Sequence, residues 1–372
     1  MHIVFISNEY PLWATGGKGS FIQTLGRGLV DAGHEVKVVG TGVENETVKM
    51  DDRGVQLIRL PKPNLPKAKF IENFWRIRRE LKRIEKNTRI DIVETSELDC
   101  AYLPKKTRYK KVIRLHGGHH FFAEAEKRGV DPVKGAREKK SFANADGFIA
   151  VSNYVKEHTS KYLSYHGKPI EIIRNSVDLK VFQPQSVAIE KGNITYVGTV
   201  CEKKGVRQLI QAMSIVLKEK PNVRLHIYGR DWNYPDGSSY MEEMKSTYDM
   251  KNIKFHGMLP FSEIPNVYAR AEVCVFPSHI ETQGLVAPEA MAMGKTVVFS
   301  NTGPGRETIK DGVNGYLCDP HNPASIAQKI MEALDHKNNV ELNKNAIEFA
   351  QKTFNIDKLL PKNIAFYKSI DY

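Results

Sequence analysis

The chain has 372 residues, more than one compact core usually holds, so two domains are the default expectation. Hydrophobic residues make up 41% and charged residues 26%, the balance of a globular protein rather than a disordered one. Lys and Arg number 55 against 43 Asp and Glu, a net charge of +12 that points to an anionic partner: nucleic acid, a membrane surface or a phosphorylated small molecule.

The opening MHIVFISNEYP has no basic lead and reaches Asn8, Glu9 and Pro11 after a short apolar run. No signal peptide is expected from it, no stretch approaches the ~18 apolar residues of a membrane span, and a cytoplasmic protein is the expectation. Cys100, Cys201, Cys274 and Cys318 lie far apart without a C-x-x-C pair, which suits a reducing compartment.

The first predicted unit is strand, loop, helix, strand. His2 to Ile6 is an apolar run followed by a loop with Gly16, Gly17 and Gly19. Phe21, Leu25, Leu29 and Ala32 then recur at helical spacing, Gly33 ends the helix, and Val36 to Val39 returns as a strand. Further strands are predicted at Val55–Leu60, Ile90–Val93, Lys111–Leu115, Gly147–Val151 and Glu171–Ile173. Their alternation with helical patterns predicts a parallel sheet with helices on both faces. Val177 to Lys191 has little periodicity and is the candidate hinge. The pattern restarts at Asn193–Val197, with strands at Val223–Tyr228, Asn252–Phe255, Glu272–Phe276, Thr296–Ser300 and Gly315–Cys318. A last helical pattern runs from Phe354 to Ile370. Two Rossmann-like domains facing each other would place a ligand in a central cleft at their C-terminal sheet edges.

The charge is concentrated in the first half. Lys62 to Arg89 holds ten Lys or Arg and three Glu, and Lys105 to Arg114 holds six basic residues and no acid. Within the first run, Phe70, Phe74, Ile77, Leu81 and Ile84 fall on one helical face, with Lys69, Arg76, Arg79, Arg83 and Lys86 elsewhere around it. Such a helix, spanning Lys67 to Lys86, suits an anionic membrane surface; the plain alternative is a domain helix that packs its apolar face inward. No nucleic-acid-binding signature accompanies the charge.

The strongest constellation is PSHIETQGLVAPEAMAMGKTVV. A strand ending at Phe276 runs into a loop with Glu281 and Gly284. Val286 and Ala287 then open a helix with Pro288 near its first position and Glu289 in its first turn. A helix start offers free N–H groups to a phosphate, and carboxylates on either side suit hydroxyl-rich groups. The plain readings are a helix-dipole partner for Glu289 and a solvated loop acid for Glu281. A second constellation, YVGTVCEKKGVRQLI, places Gly198, a short loop and Lys204-Gly205 at a helix start, again an anion-binding arrangement but without Walker spacing.

These residues resemble the retaining glycosyltransferases of family 4, whose most specific motif is the spacing Glu281-x7-Glu289. The resemblance extends through the Gly16-Gly17 loop, GHEV, ADGFIAVS, IIRNSVDLKVF, VGTVCEKKG, FHGMLPFSEIPNVYARAEVCVFPS and GPGRETIKDGVNGYLCDP. It implies a GT-B fold: an acceptor-side domain over 1–177, a donor domain over 178–354, and a C-terminal helix over 355–372 packing back on the first. It implies a nucleotide-sugar donor, a UDP-sugar favoured, and no cofactor or metal. By position, Glu281 would contact sugar hydroxyls, Glu289 the ribose, and Lys204 the leaving diphosphate. Main-chain groups near Gly284, Leu285 and Val286 would bind the phosphates, with Gly198, Thr199, Gly16 and Gly17 close by. His116, in RLHGGHH, would sit near the sugar.

Three departures stand out. Thr199 replaces the Arg that often follows the glycine, with Lys203 or Arg207 as candidate substitutes. Thr282-Gln283-Gly284 replaces Gly-Phe-Gly, and Asn175-Ser176-Val177-Asp178 replaces Asn-Gly-Val-Asp. On the acceptor side, Tyr10, Trp13, Lys18, His119 and His120 are candidates. A metal site at His116, His119 and His120 lacks acidic or thiol partners. The resemblance suggests a glycan or lipid-linked acceptor in cell-surface glycan assembly. The alternatives are a small soluble acceptor, a non-catalytic nucleotide-sugar binding protein, or, further off, an epimerase of the same fold.

Overall fold

The computed structural model describes residues 1–13, 16–64, 69–335 and 339–371. The chain forms two compact units, one from Met1–Ser176 joined by the chain's last helix, the other from Val177–Asn355. Both are mixed α/β.

The first unit contains strands β1 (His2–Ile6), β2 (Glu35–Thr41), β3 (Val48–Asp52), β4 (Val55–Leu60), β5 (Ile92–Thr95), β6 (Lys110–Leu115), β7 (Gly147–Ala150) and β8 (Ile170–Ile172). Its helices are α1 (Gly17–Asp31), α2 (Lys69–Asn87), α3 (His119–Ala125), α4 (Pro132–Asn144) and α5 (Asn153–Ser160). The sheet order is β3-β4-β2-β1-β5-β6-β7-β8, parallel except for β3, which pairs antiparallel with β4. Ile3, Val4 and Phe5 are consecutive and buried, as a parallel strand covered on both faces requires.

The second unit contains β9 (Asn193–Val197), β10 (Arg224–Tyr228), β11 (Ile253–Gly257), β12 (Val273–Phe276), β13 (Thr296–Ser300) and β14 (Tyr316–Cys318). Its helices are α6 (Val206–Glu219), α7 (Tyr240–Thr247), α8 (Ile264–Arg270), α9 (Val286–Ala292), α10 (Gly305–Thr308), α11 (Pro323–Leu334) and α12 (Asn339–Thr353). The all-parallel order is β11-β10-β9-β12-β13-β14. Strand order reverses between β1 and β5 in the first unit and between β9 and β12 in the second. Open α/β sheets bind ligands at the carboxyl ends of such strand pairs. The chain leaving β9 carries Gly198 and Lys204, and the chain leaving β12 carries Glu281.

Helix α13 (Ile356–Asp371) belongs to the first unit, with Ile356 and Leu360 beside Gly28 and Phe366 and Ile370 beside Gly147. A buried polar network fixes it. Arg114 donates to Glu94 Oε1 at 2.7 Å and to Asn363 Oδ1 at 2.6 Å, and the Tyr367 hydroxyl donates to Glu94 Oε2 at 2.6 Å.

Two expectations about the basic segments change. Phe74, Ile77, Leu81 and Ile84 of α2 are buried in the first unit, so the apolar stripe packs inward as in an ordinary domain helix. Lys67 lies outside the described residues, as do the side chains of Lys69 and Phe70. Two of the six basic residues from Lys105 to Arg114 are also interior. Arg114 is held by Glu94, and Lys111 Nζ donates to the carbonyls of Pro104 and Lys105. Among the described residues no helix is long and apolar enough to cross a membrane.

Candidate active site

In the second unit, the two loops leaving β9 and β12 are joined along their backbones. The N–H groups of His279 and Ile280 both donate to the Lys203 carbonyl, at 3.0 and 3.3 Å. Gly205 turns the first loop into α6 with φ +70°, and a Cβ there would lie 1.9 Å from the Pro277 carbonyl oxygen. Only glycine tolerates that turn and that approach together.

The join brings Lys204 to Glu281. Lys204 Nζ donates to Glu281 Oε1 at 2.5 Å, and the buried Ser278 hydroxyl donates to the same oxygen at 3.1 Å. Gly284 has φ +75°, and a Cβ there would lie 2.8 Å from the Phe299 ring and 3.3 Å from the Glu281 carboxyl carbon. The glycine therefore lets the chain pass between Glu281 and the core before Leu285 and Val286 open α9. Leu285 caps α9 without a side-chain hydrogen bond. The first N–H groups of a helix lack intrahelical partners, so this helix start offers donors beside the ion pair.

Glu289 is buried in α9, and burial pushes its carboxyl up to about 8, with the Tyr268 hydroxyl close by. At neutral pH it is mostly a neutral acid. Burial costs this carboxyl a desolvation penalty that an exposed helix-dipole partner would avoid. Sequence reading missed both Ser278 and Tyr268. Ser278 stood inside the quoted motif three residues before Glu281, whereas no local signal marked Tyr268.

The site around Thr199 is tied down, its carbonyl accepting from the Tyr196 hydroxyl at 2.9 Å. Arg207, a candidate substitute for the missing family arginine, is ion-paired in this structure. Its guanidinium is committed to Glu202 and Glu243, each at 2.8 Å.

In the first unit, Gly16 precedes α1 without a side-chain cap, and a Cβ on Gly17 would meet nothing within 4 Å. The protein's own packing thus does not demand glycine at 17. His116 is half-buried at the end of β6, its ring 5.8 Å from that of Phe21. Burial, with Lys18 and Arg114 adding to it, lowers its imidazole well below the usual range and keeps it neutral at pH 7.

The other first-unit candidates divide. Tyr10 is wholly buried and donates to Asp52 Oδ2 at 2.6 Å, alongside Gln23 and Arg27, so it anchors the loop after β1 instead of facing a ligand. His119 and His120 are buried too. His119 Nε2 accepts from the Asp131 N–H, and His120 Nδ1 pairs with Glu138 at 2.5 Å. Trp13 and Lys18 remain partly exposed, Trp13 with the Arg59 guanidinium 5.6 Å from its ring centre. Among the described residues, no three His, Cys, Asp or Glu converge as metal ligands.

Comparison with known proteins places these features in context. The family model "Glycosyl transferases group 1" matches residues 180–353, and "Glycosyltransferase Family 4" matches residues 15–181. The chain is 26% identical to a glycogen synthase of Mycobacterium tuberculosis over 368 residues, covering 90% of this chain and 86% of that protein. It is 29% identical to a D-inositol 3-phosphate glycosyltransferase of Segniliparus rotundus, covering 53% and 46%. Among solved structures it resembles sucrose-phosphate synthase from Thermosynechococcus elongatus, with TM-score 0.86 at 23% identity over 99% and 98% of the two chains. It also resembles Anabaena HepE in complex with UDP-glucose, with TM-score 0.77 at 16% identity over 99% and 100%.

Proposed function

We propose that this chain, which belongs to the group 1, family 4 glycosyltransferases and has their GT-B fold, transfers a sugar from a nucleotide-sugar donor with retention of anomeric configuration. A UDP-sugar is the favoured donor. HepE, one of the similar structures, is complexed with UDP-glucose.

The observation that carries the reading is the contact between Lys204 and Glu281 beside an uncapped helix start. A diphosphate arriving there offers Lys204 more negative charge than one carboxylate does. On this reading it replaces Glu281 as the lysine's partner, and the freed Glu281 oxygens accept from sugar hydroxyls. Glu289 accepts from the ribose hydroxyls. The main-chain N–H groups near Gly284, Leu285 and Val286 meet the phosphates, with Gly198 and Thr199 flanking them.

In the transfer, the bond from the anomeric carbon to the phosphate oxygen breaks while an acceptor hydroxyl attacks from the same face. The hydroxyl proton passes to a phosphate oxygen. Lys204 and the helix start carry the leaving charge, a preorganised electrostatic contribution that we propose makes a divalent cation unnecessary. In the first unit, the residues proposed to take part are Gly16, Gly17 and His116 with its neutral imidazole.

For the acceptor, we propose a glycan or lipid-linked saccharide handled at the cytoplasmic face of a membrane. The support is the outer face of α2, where Trp75 is 63% and Ile71 55% exposed beside the exposed cations Arg78, Arg79, Lys82 and Lys86. Amphipathic aromatic and basic side chains on one surface suit an anionic lipid interface. A soluble acceptor is the second reading, favoured by relatives named for glycogen synthesis and for D-inositol 3-phosphate.

The test is turnover of nucleotide sugars by the purified protein with saccharide and lipid-linked acceptors, in chelator, with product configuration read by NMR. Release of nucleoside diphosphate with a retained anomer is expected. Inversion, or transfer only with added metal, would overturn the corresponding part.

A further inference from the structure

Glu97 stands just past the end of β5, where the strand order of the first sheet reverses, and nothing so far uses it. Its side chain is 4% exposed, and its Oε1 is buried without a hydrogen-bond partner. A carboxyl so placed is costly unless it has a task.

Its surroundings narrow the task. The next chain segment along the sheet edge is His116-Gly117-Gly118, leading from β6 into α3. A Cβ on Gly118 would lie 3.0 Å from the Glu97 Cβ and 1.6 Å from Glu138 Oε1, so Gly118 is wedged between two acidic side chains. Glu138, reaching in from α4, is fully engaged: it accepts from the N–H groups of His119 and His120 and from His120 Nδ1. Glu97 has the main-chain N–H groups of His116 and of Glu97 itself close to its carboxyl. The charged and titratable groups facing it are Glu138 from α4, Lys18 from α1, the His116 segment after β6, and Tyr165 beyond α5.

We propose that Glu97 is a positioning residue that holds the His116-Gly117-Gly118 segment, and that its ionisation shifts His116. The inference rests on the reading of His116 as the sugar-side imidazole, but its first test does not need turnover. Burial, with Glu138 adding to it, pushes the Glu97 carboxyl up to about 8. Below that pH the Glu97 carboxyl lies beside the segment without charge. Above it, the new charge repels Glu138 and pulls harder on the His116 N–H, and the segment shifts.

The experiment is a pH titration of histidine ring carbon-13 signals in the whole protein, with the His116 signal assigned by its loss in His116→Gln. The wild-type His116 signal is expected to move with a midpoint near pH 8, and Glu97→Gln, neutral at every pH, is expected to abolish that movement. A His116 signal that ignores this range, or moves alike in Glu97→Gln, overturns the proposal. If the movement is found yet no nucleotide sugar is turned over, the positioning role stands and the glycosyl-transfer reading fails. With turnover in hand, kcat at saturating donor is expected to decline above about pH 8 in wild type and to lose that decline in Glu97→Gln. A decline unchanged by the substitution counts against the proposal.

Discussion

Lys204 Nζ and Glu281 Oε1 lie 2.5 Å apart although 77 positions separate them in the chain. With Lys204 already paired, a donor on the proposed reading has to compete with Glu281 for the ammonium. Glu281→Ala is therefore expected to bind a nucleoside diphosphate at least as tightly as wild type while turnover collapses. Lys204→Ala is expected to weaken diphosphate binding and to lower kcat by roughly 10²–10³-fold, the usual cost of removing one transition-state donor. Calorimetry of both variants with nucleoside diphosphate and with intact nucleotide sugar checks the pair of outcomes.

On the proposed reading, Glu289 makes donor affinity depend on pH. Its carboxyl titrates at about 8 in the folded chain, against an ordinary value of 4.5. A ribose diol that donates two hydrogen bonds to the carboxylate favours the ionised form, so binding below pH 8 requires release of a proton. Donor affinity is expected to rise up to tenfold per unit from pH 6 to 8 and to level off above. Glu289→Gln should bind more weakly and show a flat profile. In the free protein the same shift acts against stability: the folded chain holds a proton that the unfolded chain releases. Stability is therefore lost progressively as pH rises from 4.5 toward about 8. Melts of wild type and Glu289→Gln across that window should diverge, with the variant gaining relative to wild type.

The network of Arg114, Glu94, Asn363 and Tyr367 ties α13 to the first unit through fully buried groups. Replacing Glu94 by Ala strands the Arg114 guanidinium away from water, and a loss of about 3–5 kcal/mol is expected. Tyr367→Phe removes one donor from a carboxylate that keeps Arg114, and should cost about 1–2 kcal/mol. Denaturant unfolding of the two variants checks that order, and an equal loss in both would refute it.

Sedimentation with anionic vesicles tests the outer face of α2. Binding at low salt is expected to fall on Trp75→Ala and on replacing Arg78 and Arg79 by Gln, and to be screened as ionic strength rises. Neutral vesicles binding as well as anionic ones, or no binding to either, would remove this support for a lipid-linked acceptor.

Much of the architecture was legible because its strands are buried on both faces and so read as apolar runs. His2–Ile6, Asn193–Val197 and Thr296–Ser300 agree residue for residue with the sequence reading, as does Val55–Leu60, whose Gln56 is exposed. The edge strand Val48–Asp52 was not legible, because its polar sequence VKMDD pairs on one side only. Side-chain fate depended on distant partners. Tyr10 looked like a cleft residue until Asp52, 42 positions away, claimed its hydroxyl. Arg114 looked like part of a basic surface until Glu94, 20 positions away, and Asn363, 249 positions away, enclosed it. The loops and helix starts that carry Glu281, Gly284 and Lys204 were legible because loop glycines and helix starts are local features.

The most direct test of the central claim is thermal unfolding of wild type and Glu289→Ala against a panel of nucleoside diphosphates and nucleotide sugars. A ligand at 100 times its Kd stabilises a protein by about 2.7 kcal/mol, enough to move the melt. The account predicts a shift with one nucleotide class, UDP and UDP-sugars favoured, that is reduced in the variant. A panel that shifts neither protein, or shifts both equally, would contradict a donor site built on Lys204, Glu281 and Glu289.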